Sequence, residues 1–388
     1  MLKSKVGYSV EADSFASGKE TASKTMSEGM APKVGMLYSS CLYNQEELIK
    51  GVKSVYPNMP VIGCTSSGAI IVPDGIISGE KGFSGMMVLE DADMNVAVAG
   101  MERGEDPRET GRKIAIEAVK KSGSMIRPSY FYMVASPKEE EFYLKGIEDV
   151  IGRVPFFGGS AADDTVEGNW KIFCEDKVFS DGCAVAFFYT DKKVSTEYTG
   201  AYRETKDMGI ITAVDNHRTL KEINGEPALT KYAQWRGLNE EDLKGSNLLS
   251  ATIASPLAVK DILGSVTAIR HPMVGNEDHS MNIGNNLEVG TCVVRMEATV
   301  DELIESTKNA MTAVKEELGE KPGAYFLVHC GGRKLGIGDR MEEVYHHLKD
   351  AAGETPFITI FTFGEYGYRD HSANTCGGLM LSFTAFEE

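Results

Sequence analysis

One pattern recurs three times along this chain and constrains the fold more than any other feature: an apolar strand, Ser or Cys, a helix, a proline-led second strand, and a small-residue turn. Val34 to Tyr38 is followed by Ser40, a helix capped by Asn44, and Pro60 before Val61-Ile62-Gly63-Cys64 and Thr65-Ser66-Ser67-Gly68. In the second copy Tyr130 to Ala135 is followed by Ser136, a helix from Glu139 to Ile151, then Pro155 and Phe156-Phe157-Gly158-Gly159-Ser160. Tyr325 to Val328 opens the third, with His329-Cys330, a helix from Met341 to Leu348, then Pro356, Phe357 to Phe363 and Gly364-Glu365. Strands joined through a helix run parallel, so the fold class is α/β. Between the copies, Met86 to Leu89 with Asn95 to Ala99, and Lys171 to Phe173 with Cys183 to Tyr189, look like antiparallel pairs, so the sheets are expected to be mixed.

The 388 residues exceed what one hydrophobic core usually serves. Two domains are expected, 1–200 and 201–388, with Thr190 to Asp207 as an extended crossing strand between them. The second half reads as a strand from Ile210 to Val214, a turn at Asp215-Asn216-His217, a helix opened by Pro227, and a long helix capped by Thr299 and stopped by Gly319.

Charge removes several function classes. With 40 basic and 57 acidic residues the net charge is −17, and such a field repels nucleic acid and anionic lipid surfaces. The apolar runs have strand length, and no apolar stretch of signal-peptide length follows Met1. Seven cysteines without a C-x-x-C pair argue against a disulfide framework or a zinc site. A reducing compartment, the cytoplasm, is expected.

In open α/β sheets ligands sit beyond the carboxyl ends of the strands, where the recurrent loops gather. The residues proposed from sequence to bind a ligand are Ser40, Cys64, Thr65, Ser66, Ser136, Gly158, Gly159, Ser160, His329, Cys330, Arg333, Gly364 and Glu365. Hydroxyls there suit an amino or carboxylate group, and glycines let a ligand approach the backbone. Arg333 reads as a bidentate carboxylate clamp, with a salt bridge to Glu365 as the structural alternative. Cys330 beside a cation has the character of an activated thiolate, yet free Cys at strand ends is usually a small buried hydrophobe. Phe363, Tyr366 and Tyr368 are candidates to wall the pocket. No nucleophile, base and orienting residue form a recognisable set, so no enzyme is expected; a cysteine-dependent hydrolase stays as the lesser reading.

These motifs, in this order, resemble the FIST family with its FIST-N and FIST-C halves. They include Pro60 to Gly68, Pro155 to Asp164 with Trp170, Leu220 to Leu229, His329 to Arg333, and Gly364-Glu365-Tyr366-Gly367 with Asn374-Thr375. The resemblance implies an intracellular sensor of a small polar ligand such as an amino acid or carboxylate. Its output would pass to a separate signalling protein such as a histidine kinase. Ala69 and Tyr368 depart from the family pattern, where glutamate and proline are usual. No cofactor is expected, with a haem-binding nitric oxide sensor as the alternative, since some members of the family bind haem. The candidate axial ligands are His217, His271, His279, His329 and His371, with no C-x-x-C-H attachment motif.

Overall fold

The computed structural model describes residues 1–368 and 372–388. Each recurrent segment forms a parallel strand pair with a helical crossover: Val34–Ser39 with Val61–Thr65, Tyr130–Ala135 with Phe156–Ser160, and Pro322–Cys330 with Phe357–Thr362. On its other side the first strand of each pair takes an antiparallel neighbour, respectively Ser84–Glu90, Gly182–Tyr189 and Leu381–Glu387. Beyond these lie Lys3–Ser9, Asn95–Glu102 and Val194–Thr199. Three six-stranded mixed sheets result, all with the same strand order.

The last two strands of each sheet come from another unit. A short hairpin leaves each second parallel strand and crosses to a neighbour. Ile70–Val72 pairs with Phe357–Thr362, Ile172–Cys174 with Val61–Thr65, and Glu365–Gly367 with Phe156–Ser160. The exchange is cyclic, so no unit completes its sheet alone. Inner faces of the three sheets share one core, in which Tyr38, Tyr132, Phe157 and Phe326 pack at centroid distances of 5.5–5.6 Å. Every outer face is covered by its own helix pair.

Helix starts follow the sequence signals. Asn44 accepts from the Glu47 N–H, Asp106 caps a helix with proline in its first turn, and Thr299 forms a capping box with Glu302. The antiparallel pairs read from sequence are corrected. Ser84–Glu90 and Asn95–Glu102 lie in different sheets, as do Ile172–Cys174 and Gly182–Tyr189. Each short connection carries the chain from one sheet to the next. Residues 203–297 build a further eight-stranded antiparallel sheet around the strand Arg203–Asp215. Among the described residues no helix is long and apolar enough to cross a membrane.

Candidate functional site

The three sets of strand-end loops meet and bond one another through the backbone. Ala162 N donates to Thr65 O at 3.0 Å, Ser67 N to Phe361 O at 3.0 Å, and Ser160 N to Gly364 O at 2.8 Å. Three units are thus tied in a ring. Within the second unit the parallel strands close up on Gly158, whose φ is +141° and where a Cβ would lie 1.9 Å from Met133 O.

Above this ring opens a cleft of about 1250 Å³, and the inserted sheet forms its far wall. Ser67, Asp164, Cys330, Gly331, Gly332 and Lys334 lie on the loop side, with Phe142, Trp170 and Phe363; His217, His271 and Met273 come from the inserted sheet. Asn216 and His217 turn the tip of its central hairpin with φ of 49° and 60°, which places His217 in edge contact with Phe142 at 5.6 Å. One rim is organised by Asp163. Its buried carboxylate accepts from the backbone N–H groups of Thr165, Val166, Glu167, Gly168 and Asn169, fixing the loop that carries Asp164 and Trp170.

Of the ligand residues expected from sequence, Cys330 lines the cleft and the others lie outside its lining. Their polar groups are engaged in holding the loops. Ser40 Oγ accepts from Leu42 N, and Thr65 Oγ1 from Lys171 N at 2.9 Å. Ser66 Oγ donates to Ala69 O at 2.6 Å and accepts from Phe361 N at 2.9 Å. Ser136 Oγ donates to Asp181, while Ser160 Oγ and Tyr366 Oη share a bond of 2.9 Å. Cys64 is in the core, where burial pushes its thiol up. Gly158, Gly159 and Gly364 are buried spacers; a Cβ on Gly159 would lie 2.8 Å from Gly364 O.

The Arg333 clamp is corrected. Its guanidinium is buried and points away from the cleft, with Nη1 donating to Gly200 O at 2.6 Å and Nη2 to Leu303 O at 2.9 Å and Ser306 Oγ at 2.6 Å. Neither is it in a salt bridge with Glu365. The Glu365 carboxyl accepts from Thr362 Oγ1 at 2.8 Å and Met380 N at 2.9 Å, and burial raises its pKa to about 8. The activated thiolate is corrected as well: burial, then the neighbouring Glu365, push Cys330 up. His329 is buried with Nδ1 on Cys330 O at 3.0 Å, and burial followed by Arg333 lowers its pKa to about 3, so it is neutral at pH 7.

Among the other histidines, His217 and His271 reach the cleft. His271 Nε2 is within 3.0 Å of Leu249 O, with a pKa lowered by burial to about 4; His279 pairs with Glu240. His371 lies outside the described residues. Phe363 walls the cleft as expected, whereas Tyr366 is buried beneath and Tyr368 stacks under Arg153.

Lys334 is the residue that sequence reasoning missed. Its Nζ donates to Ser67 O at 2.8 Å, and burial lowers its pKa against the opposing charge of Asp164. One Asp164 oxygen accepts from Gly68 N at 2.7 Å. An ammonium has three donors and a carboxylate several lone pairs, so both keep capacity for a ligand.

A ring of strand-end loops beneath a roomy, partly aromatic cleft is the construction of a small-molecule-binding α/β protein. The family model "FIST N domain" matches residues 33–226 and "FIST C domain" matches 228–368, so the chain belongs to the FIST family. FIST domains are described as small-ligand-binding sensor domains of signal transduction. No curated protein matches the chain. Among solved structures, cyanuric acid hydrolase from A. caulinodans aligns over 100% of both chains at 9% identity with a TM-score of 0.34. PurLQS from Thermotoga maritima aligns over 76% of this chain and 72% of its own at 10% identity, with a TM-score of 0.23. Likeness at that level carries no argument.

The thiol environments give a direct check. At pH 8 a thiol reagent is expected to modify Cys41 and Cys292, which are partly exposed, and to reach the five buried cysteines only after unfolding. Fast native labelling of Cys330, located by peptide mass mapping, would restore the activated thiolate.

Proposed function

We propose that this protein is a small-molecule sensor that binds a polar ligand, such as an amino acid or another carboxylate, in the cleft above the loop ring and signals through a separate protein. The observation that carries this reading is that Lys334 and Asp164, close enough for the carboxylate's charge to act on the ammonium, both line the floor of a cleft of about 1250 Å³. A ligand carboxylate finds the ammonium, and an amino group finds the remaining lone pairs of the Asp164 carboxylate. Binding without turnover is supported by the protonated Cys330 thiol and by His329, whose Nδ1 is within hydrogen-bonding distance of the Cys330 carbonyl. Haem is the alternative reading, because His217 Nδ1 near Glu288 leaves Nε2 to ligate iron, and a Soret band in the purified protein would establish it.

Thermal-shift screening against amino acids and small carboxylates tests the reading, since a ligand at 100 times its Kd adds about 2.7 kcal/mol. For a ligand found this way, Lys334→Gln is expected to weaken binding by about 1.5–3 kcal/mol in calorimetry, the worth of a charged hydrogen bond. Unchanged affinity in the folded variant refutes the assignment of the floor. Mass spectrometry should recover the ligand unaltered; steady conversion lost in Cys330→Ala would establish the hydrolase instead.

A further inference from the structure

We infer that the ligand of this cleft is amphipathic, a single carboxylate carried on an extended apolar or aromatic body larger than a free amino acid. The inference rests on the binding reading above and narrows its ligand class.

Size is the first argument. Sites for drug-sized ligands run to roughly 300–1,000 Å³, and this cleft holds about 1250 Å³. A free amino acid would leave most of it to water.

The second argument is which lining charges are already engaged. Arg103 Nη2 donates to Glu139 at 2.8 Å, Arg218 is held by Glu140 and Glu141, and Thr165 Oγ1 donates to Glu167 at 2.9 Å. On the floor this leaves Lys334 with Asp164, and Lys138 is exposed at the rim. One part-buried cation calls for one anionic group, and Asp164 beside it for a neutral donor such as an amide N–H. The rest of the ligand meets rings: Trp170 stands edge-on to Phe363 at 6.2 Å, and Phe142 edge-on to His217 at 5.6 Å.

Contiguity is the third. Lys334 Nζ bonds Ser67 O, and a Cβ on Gly331 would lie 3.5 Å from Ser67 Cβ and 3.6 Å from the Phe363 ring. The cation and the aromatic pair therefore flank one glycine, whose missing side chain leaves the surface between them open. A carboxylate seated at Lys334 lays whatever is attached to it over Gly331 toward Phe363 and Trp170. Buried methylenes there contribute about 0.8 kcal/mol each, roughly fourfold in affinity.

Of the two tryptophans, Trp170 lines the cleft and Trp235 lies on the helix Ala228–Arg236, so Trp235→Phe leaves one reporter in the site. N-Acetylglycine, N-hexanoylglycine, N-octanoylglycine and the ethyl ester of the last are titrated into this variant and followed by emission, with calorimetry on the unsubstituted protein. The expected result is at least about thirtyfold tighter binding from acetyl to hexanoyl, and at least about tenfold weaker binding of the ester than of its acid. In calorimetry Trp170→Ala should flatten the chain-length dependence, and Lys334→Gln should remove the difference between acid and ester. Equal affinity of the acetyl and octanoyl compounds overturns the inference, as does binding of free amino acids without any acylglycine; both leave the sensor reading standing. If neither acylglycines nor amino acids bind, the inference and the proposed ligand class fall together.

Discussion

Replacing Arg218 with alanine is expected to cost about 3–5 kcal/mol of stability at pH 8, the usual result of stripping a buried ion pair of one partner. Arg218 follows the left-handed turn at Asn216 and His217 and spans the joint between the inserted sheet and the second unit. Its Nη2 donates to Glu140 at 3.0 Å and Glu141 at 2.8 Å, its Nε to Asn286 Oδ1 at 2.8 Å, and its Nη1 to Gly284 O. Asn286 N donates back to Glu141 at 2.9 Å, and Arg270 Nε donates to Asn286 O at 3.0 Å. The side chains of Arg218 and Glu140 are 15% and 1% exposed, so water does not replace the lost partner. Lysine should recover only part of the loss, because an ammonium cannot span the fork. Burial raises the Glu140 pKa and Arg218 opposes that rise. Without Arg218 the carboxyl takes up a proton more readily, so the deficit should shrink as pH falls toward 5. Urea unfolding at pH 5 and pH 8 measures both; a cost below about 1 kcal/mol at pH 8 would place the pair among solvated surface bridges.

Much of this architecture is legible in the sequence because the parallel units announce themselves through strand, cap, helix and turn. The three-fold recurrence, the caps at Asn44, Asp106 and Thr299, and the turn near Asn216 all follow from local chemistry. Strand pairing does not. Val34–Ser39, Tyr130–Ala135 and Gly182–Tyr189 are buried on both faces, so the alternation that would reveal their partners is masked by apolar residues on each side. Nearness in the chain then suggests pairs such as Met86 to Leu89 with Asn95 to Ala99. Met86 to Leu89 instead pairs back with Lys3–Ser9 and Val34–Ser39, and Asn95 to Ala99 pairs with Gly182–Tyr189, more than eighty residues on.

The site was legible as a place and misread as a set of side chains. Strand-end loops converge where the topology of α/β sheets puts ligands, but most of their hydroxyls bond one another and the backbone. Arg333 and Lys334 show the physical reason. Adjacent residues on a helix point about 100° apart, so only one of the two can face the cleft. Arg333 shares its buried face with Ile337, one turn on, beneath the helix Val300–Leu318. Lys334 faces the cleft. The apolar residue four positions after Arg333 was the signal for which cation turns inward.

Glu365→Gln is expected to remove a pH dependence of roughly 3–5 kcal/mol from the folding stability. The carboxyl is fully buried and its pKa rises from 4.5 to about 8, first through burial, with the Met380 N–H and Thr362 hydroxyl opposing. A folded-state pKa above the unfolded one means the native protein holds a proton that the unfolded chain releases. Stability from this residue is therefore complete below pH 4.5 and is lost as pH rises from there through about 8. Two buried histidines act in the opposite direction: His271 and His329 have pKa values lowered from 6.5 to about 4 and about 3, so they stabilise as pH rises and add nothing further above 6.5. The comparison of wild type with Glu365→Gln cancels their contribution. Glutamine keeps the shape of the protonated acid, its amide oxygen able to accept from Met380 N and its NH₂ able to donate to Thr362 Oγ1. Urea unfolding from pH 5 to pH 9 should give the closest stabilities at pH 5, a variant that becomes progressively the more stable from pH 5 to about pH 8, and a difference that levels off above that. A constant difference across that range would mean that Glu365 is ionised in the folded protein, and would return it to the role of counter-ion for Arg333.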